Sequence, residues 1–251
     1  MKGVNMLVST YIKRLIEQDL IEKNKKRERE RSGKLSASKL FYPTRWQLLY
    51  TLGIPTVEKD AYTLGVFDKG DEVEAKFIEY LKKFDLLADV NLPKVHNQYK
   101  VTYRGAIGLV DSIINTDKFD DVKIGIIPNE IKSVTSYKLK RIKQNAEIDW
   151  HYKLQAGFYA LALGTPYYGL TIISKEHDFP RMHILETKRI RKDIETIIDK
   201  YQQAKQDWEQ YRKLPPLEAD KRVEWILNPK YRPFEERWDD DKEVIKFISK
   251  N

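Results

Sequence analysis

The sequence predicts an α/β (α+β) protein in which a β-sheet is flanked by helices. Three strand-like runs rich in β-branched residues, 98–104, 106–114 and 122–134, occupy the middle of the chain. Apolar residues recur at helical spacing on both sides of these runs, and a strand pair followed by a long helix comes later. Because helical segments enclose the strands along the chain, the pattern favours a sheet packed between helices.

Composition restricts the class of protein further. The chain has 251 residues, 41% hydrophobic and 33% charged, which suits one substantial core with appendages. Its net charge of +8 favours a polyanionic partner. The absence of cysteine excludes disulfides, thiolate nucleophiles and any iron–sulfur cluster. The four histidines show no helical zinc spacing, so a bound metal would be a hard ion held by oxygen ligands.

Membrane and targeting signals are weak. No apolar run approaches the roughly 20 residues that a spanning helix needs. The N-terminal residues do not form the pattern of a signal peptide. We therefore expect a cytoplasmic protein without a membrane partner, located in the host cytoplasm if it is phage-encoded.

The first third of the chain predicts three helices. Residues 9–31 combine an apolar stripe with a mixed-charge tail, which is typical of a solvated helix end, although the basic residues could also touch nucleic acid. A second helix begins near Ser36 or Ser38, is interrupted at Pro43 and ends near Gly53. Within it, Arg45 and Trp46 are candidate nucleic-acid contacts, with core packing as the alternative for Trp46.

The third predicted helix spans about residues 67–87. Its inner stripe consists of Val73, Phe77, Tyr80, Leu81 and Phe84. The same helix has an acidic segment in which Asp71, Glu72 or Glu74 could face the interior.

The strand runs hold charged residues where a buried strand should have none. Asp111 closes the apolar run Ile107–Val110, and Glu130 and Lys132 flank Ile131. Period-2 geometry places Glu130 and Lys132 on one face and Ile131 on the other. Burying carboxylates beside an ammonium is costly unless a divalent cation or a phosphate balances the charge. We expect a meander of the three runs to bring these groups together, with Pro128 marking an edge or a bulge.

The second half of the chain continues with basic and helical segments. Lys138, Lys140, Arg141 and Lys143 follow the third strand and could guide phosphates towards it, or form a solvated helix face. A helix is predicted over 148–163, a strand pair over 167–174 and 182–186, and a long helix over 187–213.

These motifs resemble a known family. Gly108-x-x-Asp111, Glu130-x-Lys132 and a helix with Gln155-x-x-x-Tyr159 are similar, in this order, to the PD-(D/E)XK nuclease superfamily and specifically to its RecB-type exonuclease branch. The resemblance spans residues 36–164. It implies a restriction-endonuclease-like core, a central mixed β-sheet flanked by helices, with helical N- and C-terminal additions.

The resemblance also implies roles for individual residues. The catalytic set would be Asp111, Glu130, Lys132, Gln155 and Tyr159. Mg²⁺ or Mn²⁺ would be held by Glu74, Asp111, Glu130 and the carbonyl of Ile131. Glu74 stands where the branch has histidine. The implied domains are a charged N-terminal helix over 1–34, a nuclease-like domain over 35–214 and an extension packing on the core over 215–251.

The C-terminal segment departs from the iron–sulfur members of that branch. Tyr42, Pro229, Arg232 and Trp238 stand where those members have cysteines. We expect packing and a cation–π contact to replace the cluster, unless the matching Pro-Phe pair is a coincidence.

The implied function is metal-dependent hydrolysis of phosphodiester bonds by an exonuclease acting on DNA ends or single strands. It would serve recombination, repair or phage DNA processing, with a possible processing partner protein. A structure-specific endonuclease such as a junction resolvase shares these motifs, and so does a catalytically inactive DNA-binding module. The plainest alternative is that Glu130 and Lys132 form only a surface ion pair.

Overall fold

The computed structural model of the chain describes residues 13–24, 33–95, 98–119, 121–145, 148–176 and 180–250. Within these residues seven α-helices run in chain order: α1 (13–24), α2 (Thr44–Thr51), α3 (Ala61–Lys83), α4 (Ser136–Asn145), α5 (Trp150–Leu163), α6 (Lys188–Tyr211) and α7 (Asp241–Ile248). The strands are β1 (Lys94–Val95), β2 (Gln98–Tyr103), β3 (Ala106–Val110), β4 (Ser112–Asn115), β5 (Ile126–Val134), β6 (Tyr167–Ser174) and β7 (Pro180–Glu186). Among these described residues, no helix has the length and apolar content to cross a bilayer.

The central sheet is four-stranded and mixed. Its strand order is β4-β5-β6-β7, with β5 and β6 parallel and the outer pairs antiparallel. Helices α4 and α5 form the connection between β5 and β6, because a parallel pair requires a crossover. The predicted α/β class, with a mixed sheet between helices, is confirmed.

The predicted meander over 98–134 is wrong in one respect, because the second run is divided at Asp111. Before this residue, β3 belongs to a three-stranded sheet of order β1-β2-β3. After it, β4 pairs with β5 in the four-stranded sheet. The carboxylate of Asp111 accepts hydrogen bonds from Gln98 and from the backbone of Ile131, one residue from each sheet. The break therefore places one acidic side chain between the two sheets.

Pro128 was expected to mark an edge strand or a bulge, but it lies in a central strand and its register with β4 is regular. Its strand β5 has β4 on one side and β6 on the other. Pairing with β6 runs from Asn129 to Val134, so at Pro128 the paired neighbour is Ile113 of β4. A proline is tolerated there because the ladder is one-sided at that point.

The main core lies where α5 packs between the sheets and α6. Every residue of α5 from Ala156 to Leu161 is buried, so this half of the helix contacts the rest of the fold on all sides. Leu154 and Phe158 of α5 pack with Ile194 and Ile198 of α6. The predicted helices over 148–163 and 187–213 and the predicted strand pair are confirmed within one or two residues at most ends.

A second core joins the N-terminal part of the fold to the C-terminal segment. Trp46 and Leu49 of α2 pack with Phe234 and Trp238, and the guanidinium of Arg232 lies 5.8 Å from the Trp46 ring. The expected packing and cation–π contact between these segments are therefore present. We attribute the order of residues 215–250 to this apolar contact.

Two predicted helices have different bounds. Helix α3 begins at Ala61 because Asp60 caps it by accepting a hydrogen bond from the Thr63 backbone. It ends at Lys83, and Tyr80 and Phe84 are exposed rather than part of the inner stripe. Of the predicted N-terminal helix, residues 13–24 are helical and the remainder lies outside the described residues.

Candidate active site

The two faces of β5 differ as its alternating pattern predicts. Ile131 packs with Val73 of α3 and Ile173 of β6. On the opposite face, the ammonium of Lys132 forms an ion pair with the carboxylate of Glu130. Burial by itself would lower the pKa of Lys132, but the charges of Glu130 and Asp111 outweigh this effect and hold that pKa above its ordinary value. Lys132 is therefore charged at neutral pH and pairs with a buried carboxylate.

Asp111 lies at the strand break and is only 6% exposed. The side chain of Gln98 donates to its Oδ1 at 2.6 Å, and the backbone N–H of Ile131 donates to its Oδ2 at 2.8 Å. Burial is the largest cause of a raised pKa at Asp111, followed by repulsion from Glu130 and then Glu74. The fold thus holds Asp111 next to other acids despite the electrostatic cost.

Glu74 of α3 is the third acid of this cluster. The Nε2 of Gln98 lies 3.4 Å from its Oε1, so one amide group bridges Glu74 and Asp111. Burial, and then the charge of Glu130, raise the pKa of Glu74 to about 7. Asp71 and Glu72 of the same helix are exposed instead. Glu74 is therefore the acid of α3 that faces the site.

One carboxylate oxygen in the cluster has no hydrogen-bond partner. Glu130 is 1% exposed, Lys132 contacts its Oε1, and its Oε2 is buried and unsatisfied. Three carboxylates, those of Glu74, Asp111 and Glu130, share the site with the single ammonium of Lys132. In the described part of the chain, no three or more His, Asp and Glu side chains are grouped so that together they could hold a metal ion. The donors are nevertheless hard oxygens with unbalanced negative charge, which fits a divalent cation.

Helix α5 borders the site, because its Tyr159 lies close to Glu130 and Asp111. The Nε2 of Gln155 donates to the hydroxyl of Tyr159 at 2.9 Å. Burial, followed by the charges of Glu130 and Asp111, raises the pKa of Tyr159 well above its ordinary value. Gly108 of β3 permits this placement, because an added Cβ would lie 2.6 Å from Cε1 of the Tyr159 ring. The glycine of the Gly-x-x-Asp motif is thus explained by the ring that packs on it.

Beside Lys132 lie Tyr152 and His151 of α5, which the sequence did not indicate as part of the site. The ammonium of Lys132 is 5.9 Å from the ring centroid of Tyr152, and that of Lys138 is 4.9 Å from it. Lys138 also forms an ion pair with Asp149. Burial lowers the pKa of the neighbouring His151 to about 4, so its ring is neutral near pH 7.

The residues predicted to contact nucleic acid differ in exposure, and two of them are used for contacts within the protein. Lys140 and Arg141 are exposed on α4, and Lys138 is half-buried beside the site. The side chain of Lys143 lies outside the described residues. Trp46 has no exposed surface, so it cannot stack on a base and the packing alternative is correct. Arg45 is also committed elsewhere, because it donates to the carbonyls of Pro215 and Asp239 and pairs with Asp241.

Gln98 is the main residue of the cluster that sequence reasoning missed. The hairpin of β2 and β3 pairs Tyr99 with Val110. Continuing this register by one residue places Gln98 opposite Asp111. The hairpin register therefore held the signal, but it becomes readable only once the Arg104–Gly105 turn is recognised.

Comparisons with known proteins are limited to overall shape. No protein-family model matches the chain, and no curated protein matches it in sequence. Among solved structures, the alkaline exonuclease LHK-Exo from Laribacter hongkongensis is 12% identical with a TM-score of 0.49, over 72% of this chain and 92% of that one. SSO0001 is 16% identical with a TM-score of 0.43, over 75% of this chain and 86% of that one. These similarities are too distant to assign residues or chemistry.

Proposed function

We propose that this protein is a metal-dependent deoxyribonuclease of the PD-(D/E)XK superfamily, in its RecB-type exonuclease branch, that hydrolyses phosphodiester bonds at DNA ends or single strands. The observation that supports this most is the convergence of Asp111, Glu130 and Lys132, which are separated in the chain but share one buried site. A surface ion pair would not explain a carboxylate that is 1% exposed.

The residues at this site suit Mg²⁺ or Mn²⁺. Asp111 and the unsatisfied Oε2 of Glu130 would be ligands, and Glu74 would complete the acidic set. The N–H of Ile131 points towards Asp111, and in an extended strand the carbonyl of the same residue points to the same side. That carbonyl is therefore directed suitably for a fourth ligand. When bound, the ion would supply Lewis-acid stabilisation of the charge that develops on the phosphate.

The other residues would position the reacting groups. The ammonium of Lys132 would orient the attacking water and offset negative charge at the phosphate. Tyr159 is buried, so we assign it a positioning role: it holds Gln155 and borders Glu130 rather than contacting DNA. Gln155 is partly exposed and would reach the scissile phosphate.

The first test is cleavage of end-labelled linear DNA and of covalently closed circular DNA with Mg²⁺ or Mn²⁺. An exonuclease would shorten linear DNA progressively and leave circles intact. Asp111→Asn keeps the shape of the side chain but removes its charge, and we expect it to lower the cleavage rate roughly a hundredfold or more. Glu72→Gln, an exposed acid on α3, is the matched control and should leave the rate unchanged.

A second readout does not depend on turnover. Because ligands that bind only the folded state raise the melting temperature, Mn²⁺ should stabilise the wild type and Glu72→Gln but not Asp111→Asn. Cutting of circles would instead indicate an endonuclease. DNA binding without cleavage or Mn²⁺ stabilisation would indicate an inactive binding module, and either result would contradict the proposal.

A further inference from the structure

We propose that a row of aromatic rings leading away from Lys132 binds single-stranded DNA by base stacking, with Trp225 and Tyr231 of the C-terminal segment as its exposed platform. This inference rests on the proposed function, since it assigns a substrate form to the same site. We call these rings, Tyr152, His151, Trp225 and Tyr231, the aromatic row.

The aromatic row is continuous from the candidate active site to the surface. The Lys132 ammonium lies 5.9 Å from the Tyr152 ring centroid. From there the ring centroids of Tyr152 and His151 are 4.1 Å apart, those of His151 and Trp225 6.1 Å, and those of Trp225 and Tyr231 5.3 Å. A chain of rings in contact thus starts beside the group proposed to act on the phosphate.

The two outer rings of the row, Trp225 and Tyr231, are far more exposed than Phe234 and Trp238 of the same segment. Trp225 is 48% and Tyr231 49% exposed. In the same segment Phe234 and Trp238 are almost fully buried. Val223 and Ile226, on either side of Trp225, are also buried and anchor its short 3-10 helix. The segment therefore has other buried side chains that pack it against the fold. The rings of Trp225 and Tyr231 are not needed for this packing.

Cations accompany the aromatic row at both ends. At the inner end Lys132 and Lys138 flank Tyr152, each already paired with a carboxylate, Glu130 and Asp149 respectively. At the outer end the ammonium of Lys230 lies 5.8 Å from the Tyr231 ring, so Lys230 is the cation of the row that we assign to the phosphates. Aromatic platforms flanked by basic residues bind single strands, because every base offers a stacking face while the phosphates are attracted electrostatically. Paired bases are already stacked on one another inside a duplex, so the occupant is a single strand.

The test measures binding without cleavage, with a fluorescently labelled single-stranded oligonucleotide in Ca²⁺ or EDTA. Trp225→Ala and Tyr231→Ala should each weaken binding roughly tenfold, the loss expected for one stacked base. Trp225→Phe retains an aromatic face and should recover most of the affinity. Circular dichroism and thermal melting verify that each variant is folded. If Trp225→Ala is unstable, Tyr231→Ala and Trp225→Phe still test the proposal.

Two controls separate stacking from charge. An oligonucleotide of the same length with abasic sites keeps the phosphates but removes the bases, so it should bind wild type and Trp225→Ala equally weakly. Lys230→Ala should reduce the salt dependence of binding by about one phosphate contact, whereas Trp225→Ala should leave this slope unchanged.

A matched aromatic control lies elsewhere on the surface. Tyr211 is an exposed tyrosine at the end of α6. It lies about 27 Å along the helix from Asp193, where Arg222 contacts α6. Tyr211→Ala should leave binding unchanged.

The outcomes distinguish this inference from the proposed function. If the wild type cleaves DNA but Trp225→Ala and Tyr231→Ala bind single strands normally, the aromatic row is not the platform and the nuclease proposal stands. If the wild type lacks nuclease activity but the same variants lose single-strand binding, the platform stands without the nuclease. Equal weakening of blunt duplex binding would overturn the assignment to single strands.

Discussion

At the scale of single residues, the candidate site is dominated by charge that the fold does not balance. Three carboxylates face one ammonium, and the amide of Gln98 provides hydrogen bonds to two of the acids without cancelling their charge. Such an arrangement lowers the stability of the metal-free protein when all three acids are ionised. A protein that retains it does so at the expense of stability, which is common at sites with a chemical function.

The raised pKa of Glu74 gives this cost a pH dependence. The folded state holds a proton on Glu74 up to about pH 7, whereas the ordinary value is 4.5. Folded protein therefore binds more protons than unfolded protein between these values, and stability falls as pH rises through them. The free energy of unfolding should decrease by up to roughly 3 kcal/mol between pH 4.5 and 7.5 because of this group.

Urea unfolding of Glu74→Gln in the absence of metal measures this contribution. The variant should lack that part of the pH dependence, and Glu72→Gln should retain it. Saturating Mg²⁺ should flatten the wild-type profile, because the bound charge favours the ionised acids. Identical profiles for wild type and Glu74→Gln would show that Glu74 is not coupled to the other acids.

Gly108 allows a second prediction at this scale. In Gly108→Ala the new Cβ would overlap the Tyr159 ring, whose Cε1 would be 2.6 Å away. Overpacking of this kind costs about 1–3 kcal/mol, and moving Tyr159 would also displace Gln155, so both stability and cleavage rate should fall. Thermal melting and the end-label assay measure the two effects.

Gly65→Ala is the matched control for Gly108→Ala. Its added Cβ would have its nearest neighbour, a carbon of Leu20, at 3.8 Å, which is ordinary contact. Since alanine is favoured in a helix by about 1 kcal/mol, Gly65→Ala should be neutral or stabilising. Unchanged stability in Gly108→Ala would contradict the close approach of Tyr159 to β3.

At the scale of elements, the division of one strand at Asp111 and the packing of the C-terminal segment decide the site. The break sends β3 and β4 into different sheets and leaves Asp111 between them. The C-terminal segment is held by apolar contacts with α2. It also provides the outer half of the aromatic row, so its docking affects both stability and the proposed substrate path.

Trp238→Ala tests whether the second core holds this segment. Trp238 is buried among residues of α2 and α7, and removing its ring should cost about 3–5 kcal/mol in the free energy of unfolding. Arg237→Ala removes an exposed guanidinium 4.5 Å from the same ring and should cost about 1 kcal/mol or less. Urea denaturation compares the two variants. A loss for Trp238→Ala no larger than that for Arg237→Ala would show that the segment is not docked as described.

At the scale of the whole molecule, two opposite charge distributions coexist. The chain has a net charge of +8, whereas the site holds more acids than cations. A polyanion would be attracted by the molecule as a whole and repelled by the site itself. The divalent cation that we propose would resolve this conflict, because it would bind the acids and present positive charge to a phosphate.

Local sequence patterns determined most of the elements. The periodicities of 148–163, 167–174 and 187–213 predicted α5, β6 and α6, because each pattern follows from which side chains face the core. The alternation around Ile131 also predicted the two faces of β5. These features depend on neighbours in the chain, so they can be read without the fold.

Only the tertiary structure decided which distant residues meet. It buried Trp46, for which base stacking and core packing were both open, and it engaged Arg45, a candidate DNA contact, because the C-terminal segment packs over α2. It selected Glu74 over Asp71 and Glu72, brought Gln98 to Asp111, and joined Trp225 to the rings beside Lys132. Such contacts depend on how whole elements pack against one another, and a linear pattern contains little of that information.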